Sequence, residues 1–467
     1  MSTKEPRAAL PDGLLLAYYG DDFTGSTDAM EVMAAAGLPT ALFLQPPDAA
    51  MLQRFPDVRC IGIAGSSRGR SPEWMDAQLP DVFARLAALK PPLMQYKICS
   101  TFDSSAQTGS IGRALDLGVG HMPGSWSPMI VGAPRLKRYQ MFGNLFAAVD
   151  GTGYRLDRHP TMARHPVTPM SESDLRRHLA TQTQRRVELI DMVQLRDGAA
   201  AAGACACIDK LRGADAPVVL IDVLDEETLR EAGRLVWEQR GAGVFSASSS
   251  GLQYALTAYW RSRGWIVQQT SLPTAGPVPV IAAVSGSCSP VTAKQIAWAR
   301  THGFAAERLD LQAVLTEKTK EAELARMVAL AVTAVDNGRS PLIYSAEGPD
   351  DVNVTGFDAI AREAGITRPD AARRVGMALA EIMRRLLDAR PVTRVAIAGG
   401  DSSGEVASAL DIAALSVSAA MSPGAPLCRA WSDNPRRDGL EIVLKGGQVG
   451  GLSFFGDVLE GKPLTAN

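Results

Sequence analysis

The run Leu14-Leu-Leu-Ala-Tyr-Tyr-Gly-Asp-Asp-Phe-Thr-Gly-Ser-Thr-Asp28 constrains this chain more than any other stretch. A short apolar strand ends in two adjacent carboxylates, and a Thr/Gly/Ser-rich turn leads into a helix. That arrangement puts Asp21 and Asp22 at the carboxyl end of a strand, where open α/β sheets place their ligands. Three further strand-to-glycine junctions lie in the second half, at Ser285-Gly-Ser287, Gly399-Gly-Asp-Ser402 and Lys445-Gly-Gly447. Acidic chemistry on one side and anion-binding loops on the other predict a two-domain enzyme.

The rest of the chain keeps the same rhythm. Candidate strands at 14–19, 40–44, 60–64, 95–99, 129–131 and 218–221 alternate with helical patterns at 26–36, 72–88, 109–117 and 225–240. Short, mostly continuous apolar strands between helices indicate largely parallel sheets covered on both faces. Thr270-Ser-Leu-Pro-Thr-Ala-Gly-Pro-Val-Pro279 reads as a boundary, giving domains 1–270 and 271–467. After it come strands at 280–284, 342–345, 395–398 and 441–444, with helices at 291–302, 368–389 and 405–410. The expectation is an α/β protein of two domains with the active site in the cleft between them. Residues 132–170, rich in Arg, Tyr, Gly, His and Pro, break the pattern. They read either as an excursion facing the active site or as a plain surface loop.

Length and charge remove several alternatives. At 467 residues the chain exceeds what one hydrophobic core organises. Lys plus Arg number 48 against 50 acidic residues, so no global positive field draws the protein to nucleic acid or acidic membranes. No apolar run reaches the length that spans a bilayer, and MSTKEPRAAL lacks a signal-peptide core, so the cytoplasm is expected. Six cysteines are too few for a disulfide scaffold at this length, and Cys205-Ala-Cys207 has no partner pair for zinc.

In the second domain Gly permits close backbone approach, and Ser hydroxyls with free N–H groups bind phosphate oxygens where a helix begins. In a parallel sheet such loops converge on one rim although they lie far apart in sequence. Ser285, Ser287, Gly399, Gly400, Asp401, Ser402, Lys445, Gly446 and Gly447 therefore form the candidate nucleotide site. Neither a Walker A loop nor a dinucleotide fingerprint occurs. Lys445 reads as a phosphate ligand or as a snorkelling side chain. Asp401 reads as a Mg²⁺ ligand or as a helix cap.

In the first domain Thr24 or Ser26 is expected to cap the next helix, with Asp28 in its first turn. Capping does not explain two adjacent aspartates. One of them, Asp22 by preference and Asp21 in reserve, suits a base accepting a proton from a substrate hydroxyl. Arg68 and Lys97 suit a small carboxylate, Arg through two parallel hydrogen bonds. Ser100, Thr101 and Asp103 suit a polyol. Cys99 has no His near it in sequence and reads as a buried small side chain. Ser285-Gly-Ser287 does not match the hydrolase nucleophile elbow.

With these residues in place the chain resembles the four-carbon acid sugar kinase family over essentially its whole length. The landmarks occur in order: Gly20-Asp-Asp-Phe-Thr-Gly-Ser26, Lys97-Ile-Cys-Ser-Thr-Phe-Asp-Ser104, His165-Pro-Val-Thr-Pro-Met170, Ser285-Gly-Ser287, Gly399-Gly-Asp-Ser402, Lys445-Gly-Gly447 and Leu452-Ser-Phe-Phe-Gly456. The resemblance implies an N-terminal sugar-acid domain, a C-terminal ATP domain, and ATP- and Mg²⁺-dependent phosphorylation of a four-carbon sugar acid. It implies Asp22, Arg68 and residues 97–101 against the acid, and Ser285, residues 399–402 and Gly447 around ATP. Cys-Ser-Thr-Phe-Asp, where many members have Lys-x-Asp-Ser-Thr, resembles the 3-oxo-tetronate kinase branch. Lys445-Gly-Gly-Gln-Val-Gly450 departs from the familiar Lys-Ser-Gly-Asn-Phe-Gly.

The partners implied are a small hydroxylated acid and ATP, with a homodimer as a loose expectation. Two other readings stand beside the kinase: a nucleotide-dependent ligase or hydrolase whose aspartates organise metal, and a metabolite-binding protein without phosphoryl transfer.

Overall fold

The computed structural model describes residues 9–149, 151–165, 167–196, 206, 208–210, 212, 213, 215–267 and 272–463, with backbone alone at 401 and 402. It divides into two compact units, Met1–Ala41 with Pro46–Thr270, and Leu42–Gln45 with Ser271–Asn467. Cys205, Cys207 and the start of the proposed boundary at Thr270 lie outside the described residues.

The first unit is built on β1 (Leu16–Gly20), β2 (Thr40–Phe43), β3 (Cys60–Ala64), β4 (Leu93–Lys97), β5 (Ser127–Met129), β6 (Arg138–Met141), β7 (Asn144–Val149), β8 (Thr152–Arg155), β9 (Val187–Ile190), β10 (Val218–Ile221) and β11 (Val244–Ser248). Its main sheet runs β11, β4, β1, β3 in space, followed by β2, whose Thr40 and Ala41 belong to this unit. The pairs β11–β4, β4–β1 and β1–β3 are parallel. A second parallel sheet has the order β5, β10, β9. All five residues of β1 are buried, as a strand covered on both faces requires.

The helix Pro72–Ala88 shows how the sequence writes one of these covers. Ser71 caps it by accepting from the Trp74 N–H, Pro72 opens it, and Glu73 meets the positive end of its dipole. Met75, Leu79, Phe83 and Leu86, spaced four, four and three, are its buried side chains. Each contributes about 1.5–3 kcal/mol on burial. Phe83 meets Tyr19 and Tyr96 edge-on at 6.4 Å each and Phe245 at 5.3 Å. The helix thus braces β1 and β4 just below their carboxyl ends and β11 near its amino end, and Phe83→Ala would cost about 3–5 kcal/mol there.

Residues 132–170 are more than an irregular excursion. They contain an antiparallel sheet of β6, β7 and β8, which the alternating small and polar residues concealed. Its first turn is held by Asp222, fully buried at the end of β10, which accepts from the N–H groups of Phe142, Gly143 and Met192.

The second unit adds β12 (Ala282–Ser285), β13 (Ala305–Arg308), β14 (Pro341–Tyr344), β15 (Arg394–Ala398), β16 (Ala414–Ser422), β17 (Ala425–Trp431) and β18 (Glu441–Lys445). Strands β18, β15, β12, β14 and β13 are parallel in that order. The hairpin β16–β17 joins the β18 edge antiparallel. Ile281, Ile296, Phe304, Leu342, Val443, Phe454 and Phe455 are among the side chains of its core.

Candidate active site

In the first unit the β-sheet register decides what meets. Gly20, the last residue of β1, lies opposite Ala64 and Lys97, and Lys97 lies opposite Ser248. Asp21 and Asp22 therefore leave β1 at the rim where β3 turns toward Arg68 and β4 delivers Lys97. The Asp21 N–H donates to the Lys97 carbonyl (2.9 Å), and the Arg68 N–H donates to the Asp21 carbonyl (3.0 Å). The Tyr96 hydroxyl lies 2.8 Å from Ser67 Oγ, which pins the short turn that carries Arg68.

The fork of Arg68 is engaged by the two aspartates. Its Nε and Nη2 donate to the two Asp21 oxygens (3.2 and 2.8 Å), and Nη2 also reaches Asp22 Oδ1 (2.7 Å). The expected carboxylate clamp is instead the counter-ion of the aspartate pair, because two adjacent carboxylates at a buried strand end need a cation between them. Asp21 is almost wholly buried, and that burial pushes its pKa up despite Arg68.

Asp22, not Thr24 or Ser26, is the N-cap of the helix Phe23–Ala35. Its Oδ1 accepts from the Gly25 N–H (3.0 Å) and its Oδ2 from the Thr24 hydroxyl (2.9 Å). Burial opposes its charge, but Arg68, Lys97 and these two donors outweigh that, and its carboxyl sits below the ordinary range. The helix starting at Phe23 places Asp28 in the second turn rather than the first. Asp28 Oδ1 is buried without a hydrogen-bond partner among the described residues, and burial raises its pKa against the pull of Lys97.

The Cys99–Asp103 turn follows β4. Cys99 Sγ lies 2.9 Å from Thr101 Oγ1, which donates to Asp103 Oδ1 (2.7 Å). Burial pushes the Cys99 thiol up to about 11, which favours the neutral thiol at neutral pH. Thr101 is buried, and Ser100 and Asp103 are half-buried on the same turn.

In the second unit Ser285, Ala398 and Lys445 lie in register at the carboxyl ends of β12, β15 and β18, so the three glycine junctions share one rim. The Gly286 N–H donates to the Ala398 carbonyl and the Gly399 N–H to the Lys445 carbonyl, both at 2.9 Å. Gly399 has φ 124°, a conformation that side chains resist, and it delivers the chain into the helix Gly400–Ala409. The first-turn N–H groups of that helix face the rim as donors with no partner inside the helix. A Cβ on Gly447 would fall 2.7 Å from Ser287 Oγ, so the first and third loops touch through a missing side chain. The side chains of Asp401 and Ser402 lie outside the described residues.

Lys445 points inward. It is fully buried, with Nζ donating to Thr292 Oγ1 (2.9 Å) and to the carbonyls of Gly446 (3.1 Å) and Gly447 (3.5 Å). Burial brings its pKa down to about 8. The snorkelling reading fails, and the ammonium shapes its own loop instead of reaching outward. Two residues that sequence reasoning passed over finish that work. Thr292 Oγ1 donates to the Gly447 carbonyl (2.8 Å), and Gln295 Nε2 donates to the carbonyls of Val449, Gly450 and Gly451 (3.1, 3.1 and 2.9 Å). Their signal was present: two polar residues three apart share a helix face with Ile296 and Ala299.

Residues 16–256 match the model of a sugar-binding N-terminal domain, and residues 282–455 match that of a nucleotide-binding C-terminal domain. The chain is 69% identical over 454 residues to the 3-oxo-isoapionate kinase of Paraburkholderia graminis, covering 97% of this chain and 96% of that protein. It is 30% identical over 452 residues to the 3-oxo-tetronate kinase of Cupriavidus necator, covering 95% and 96%. A solved structure from Salmonella typhimurium LT2, provisionally named a tRNA synthase, matches with TM-score 0.75 and 25% identity over 94% of this chain and 97% of that one. A Haemophilus influenzae structure shares the fold, with TM-score 0.69 and 23% identity over 94% and 98%.

Proposed function

Because the chain belongs to the four-carbon acid sugar kinase family, we propose that it phosphorylates the terminal hydroxyl of a 3-oxo sugar acid, with 3-oxo-isoapionate as substrate. It is a phosphotransferase, as its relatives' kinase names indicate. The observation that carries the substrate is the 69% identity to the Paraburkholderia graminis enzyme, sustained over 97% of this chain. The more distant 3-oxo-tetronate kinases, near 30%, support the broader class of 3-oxo acids.

In this reading Asp22 orients the acceptor hydroxyl and takes its proton. A base held below the ordinary carboxylate range suits phosphoryl transfer, whose loose transition state releases the hydroxyl proton late. Arg68 holds the aspartate pair fixed in direction, and Asp21 is the reserve base. Lys97, Ser100, Thr101 and Asp103 supply charge and hydroxyl contacts for the acid. Most of the acceleration would come from alignment of hydroxyl and phosphorus.

The second unit fits a triphosphate tail on its own geometry. Three loops in register, a helix start behind Gly399, and loop carbonyls drawn back by Lys445, Thr292 and Gln295 leave N–H groups forward. ATP, when bound, supplies the transferred phosphoryl group, and Mg²⁺ neutralises its charge. Among the described residues no group of three or more His, Cys, Asp or Glu could hold a metal. Asp401 is the residue proposed to complete the shell of an ion carried mainly by phosphate oxygens. No helix among the described residues is long and apolar enough to cross a membrane. Cytoplasmic location and a homodimer are part of the proposal, the latter checked by light scattering.

The test is ADP release with 3-oxo-isoapionate and with 3-oxo-tetronate, the product identified by mass spectrometry. A phosphorylated 3-oxo-isoapionate formed with the higher kcat/KM supports the reading. Preference for 3-oxo-tetronate overturns the substrate, and ADP release without phosphorylated acid overturns the kinase.

A further inference from the structure

The turn that carries Thr101 and Asp103 is built around a residue in a conformation it resists. Phe102 has φ 58°, the left-handed region, although it carries a large side chain and is fully buried. Backbone held this way persists only where its surroundings over-determine it. At Phe102 they come from far along the chain. His178, half-buried on the helix Leu175–Ala180, sets its ring edge-on to the Phe102 ring at 5.7 Å. Its Nε2 lies 3.1 Å from the Ser104 carbonyl and 3.2 Å from Ser104 Oγ. A carbonyl only accepts, so Nε2 carries the hydrogen and donates. Gln182 Nε2 donates to Ser104 Oγ (2.9 Å), and that hydroxyl donates in turn to the Phe102 carbonyl (2.9 Å). Gln182 is itself fixed, because its Oε1 accepts from the Gly112 N–H (3.3 Å).

Both ends of this segment are tied to the aspartate rim. At its start the Ile98 N–H donates to the carbonyl of Ser248 (2.9 Å), the register partner of Lys97. At its finish the Gly109 N–H donates to the Arg70 carbonyl (2.8 Å), and a Cβ on Gly109 would fall 2.3 Å from the Arg68 carbonyl oxygen. Residues 98–109 therefore run from the end of β4 to the turn that follows β3, the two strands that flank β1 and its aspartates. Within the turn the Phe102 N–H donates to the Cys99 carbonyl (3.0 Å), and Thr101 Oγ1 donates to Asp103 Oδ1 (2.7 Å). Thr101 and Asp103 adjoin Phe102 on either side, so the bend at Phe102 sets the direction of both. Burial holds the His178 pKa below its ordinary value against the pull of the Ser104 carbonyl, which leaves Nε2 as the donor of a neutral ring.

We infer that His178 is a positioning residue for the sugar acid: with Gln182 it holds Phe102 in its left-handed conformation through Ser104, and thereby aims Thr101 and Asp103 at the acid. The inference rests on the sugar-acid kinase reading and adds to it a bracket behind the rim that sets acid affinity. It requires no contact between His178 and the acid.

The experiment is calorimetric binding of 3-oxo-isoapionate, and separately of a non-hydrolysable ATP analogue, to wild type, His178→Ala and His178→Gln, with steady-state kinetics on the same proteins. His178→Ala is expected to raise the acid's Kd about tenfold, on the order of one buried hydrogen bond, with the nucleotide Kd unchanged. Its kcat at saturating acid should stay within about threefold of wild type, because Asp22 is untouched. His178→Gln, whose amide N–H replaces Nε2–H on the Ser104 carbonyl, should return the acid's Kd to within about threefold of wild type, a rescue that lost packing would not give. Acid affinity within about threefold of wild type in His178→Ala overturns the inference, and so does a His178→Gln protein that binds the acid as weakly as His178→Ala. If His178→Ala has lost nucleotide binding as well, the protein is misfolded, and Gln182→Ala, which removes the donor to the Ser104 hydroxyl, decides by the same criterion. Wild-type protein that phosphorylates no 3-oxo acid overturns the functional reading instead, whereas wild-type turnover with unchanged acid affinity in the variants overturns the positioning role alone.

Discussion

Lys97 Nζ occupies the space in which a side chain on Gly25 would begin: a Cβ built there falls 2.3 Å from the ammonium and 2.3 Å from Asp22 Oδ1. Glycine inside a helix normally costs up to about 1 kcal/mol relative to alanine. Gly25→Ala should therefore leave the melting temperature within about 3 °C of wild type, helix gain offsetting local displacement. It should lower kcat/KM by more than about tenfold, since either Lys97 or Asp22 must move. Unaltered turnover in a variant of normal stability would show that the contact is packing without function.

Asp22 has two duties that two substitutions separate. Asn caps a helix as well as Asp does, so Asp22→Asn should keep the cap on Gly25 while losing the base. Its kcat should fall by about 10²–10⁴ with little change in thermal stability. Asp22→Ala should lose the same activity and in addition about 1 kcal/mol of stability. Asp22→Asn retaining wild-type kcat would reject the base assignment.

Arg68 is the counter-charge of an aspartate whose side chain is only 3% exposed. Arg68→Met should cost about 3 kcal/mol at pH 7 by leaving that carboxylate unpaired. The Asp21 pKa is raised already, and losing Arg68 raises it further. A raised carboxyl contributes stability that is present below its unfolded value and is lost as pH rises through the folded one. The deficit should therefore be largest at pH 7 to 8 and shrink on acidification, which a series of melting curves would read. A deficit independent of pH would mean that Arg68 acts by packing alone.

Gln295 holds three carbonyls of the last glycine loop from a fully buried position. Gln295→Ala should free that loop and raise the KM for ATP by about tenfold, the effect of losing one to two buried hydrogen bonds. The KM for the sugar acid should stay put, because Gln295 belongs to the other unit. A change confined to the acid would contradict the division of labour between the units.

Much of this protein was legible without coordinates. The apolar run before Asp21, the Ser-Gly, Gly-Gly and Lys-Gly-Gly junctions, and the Ser71-Pro-Glu start of a helix are local signals, written in adjacent residues. They were sufficient for an α/β chain with acidic and glycine-rich rims. The β6–β8 hairpins went unseen because residues 138–155 carry little apolar alternation and their first turn is fixed by Asp222, 80 positions from Phe142. Thr292 and Gln295 looked like ordinary helix polarity until their partners in residues 447–451 came into reach.

Residue order alone decided which groups stand at strand ends, since a strand's length and direction follow from its own apolar pattern and the glycine that stops it. Which of those groups pair was decided only when the strands took their register. Parallel alignment brought Asp21 and Asp22 onto Arg68 and used up its fork, and it turned Lys445 into its own loop. Pairing between charges is a matter of a few ångströms in a medium that screens weakly, and distances between residues tens or hundreds of positions apart exist only in the folded chain.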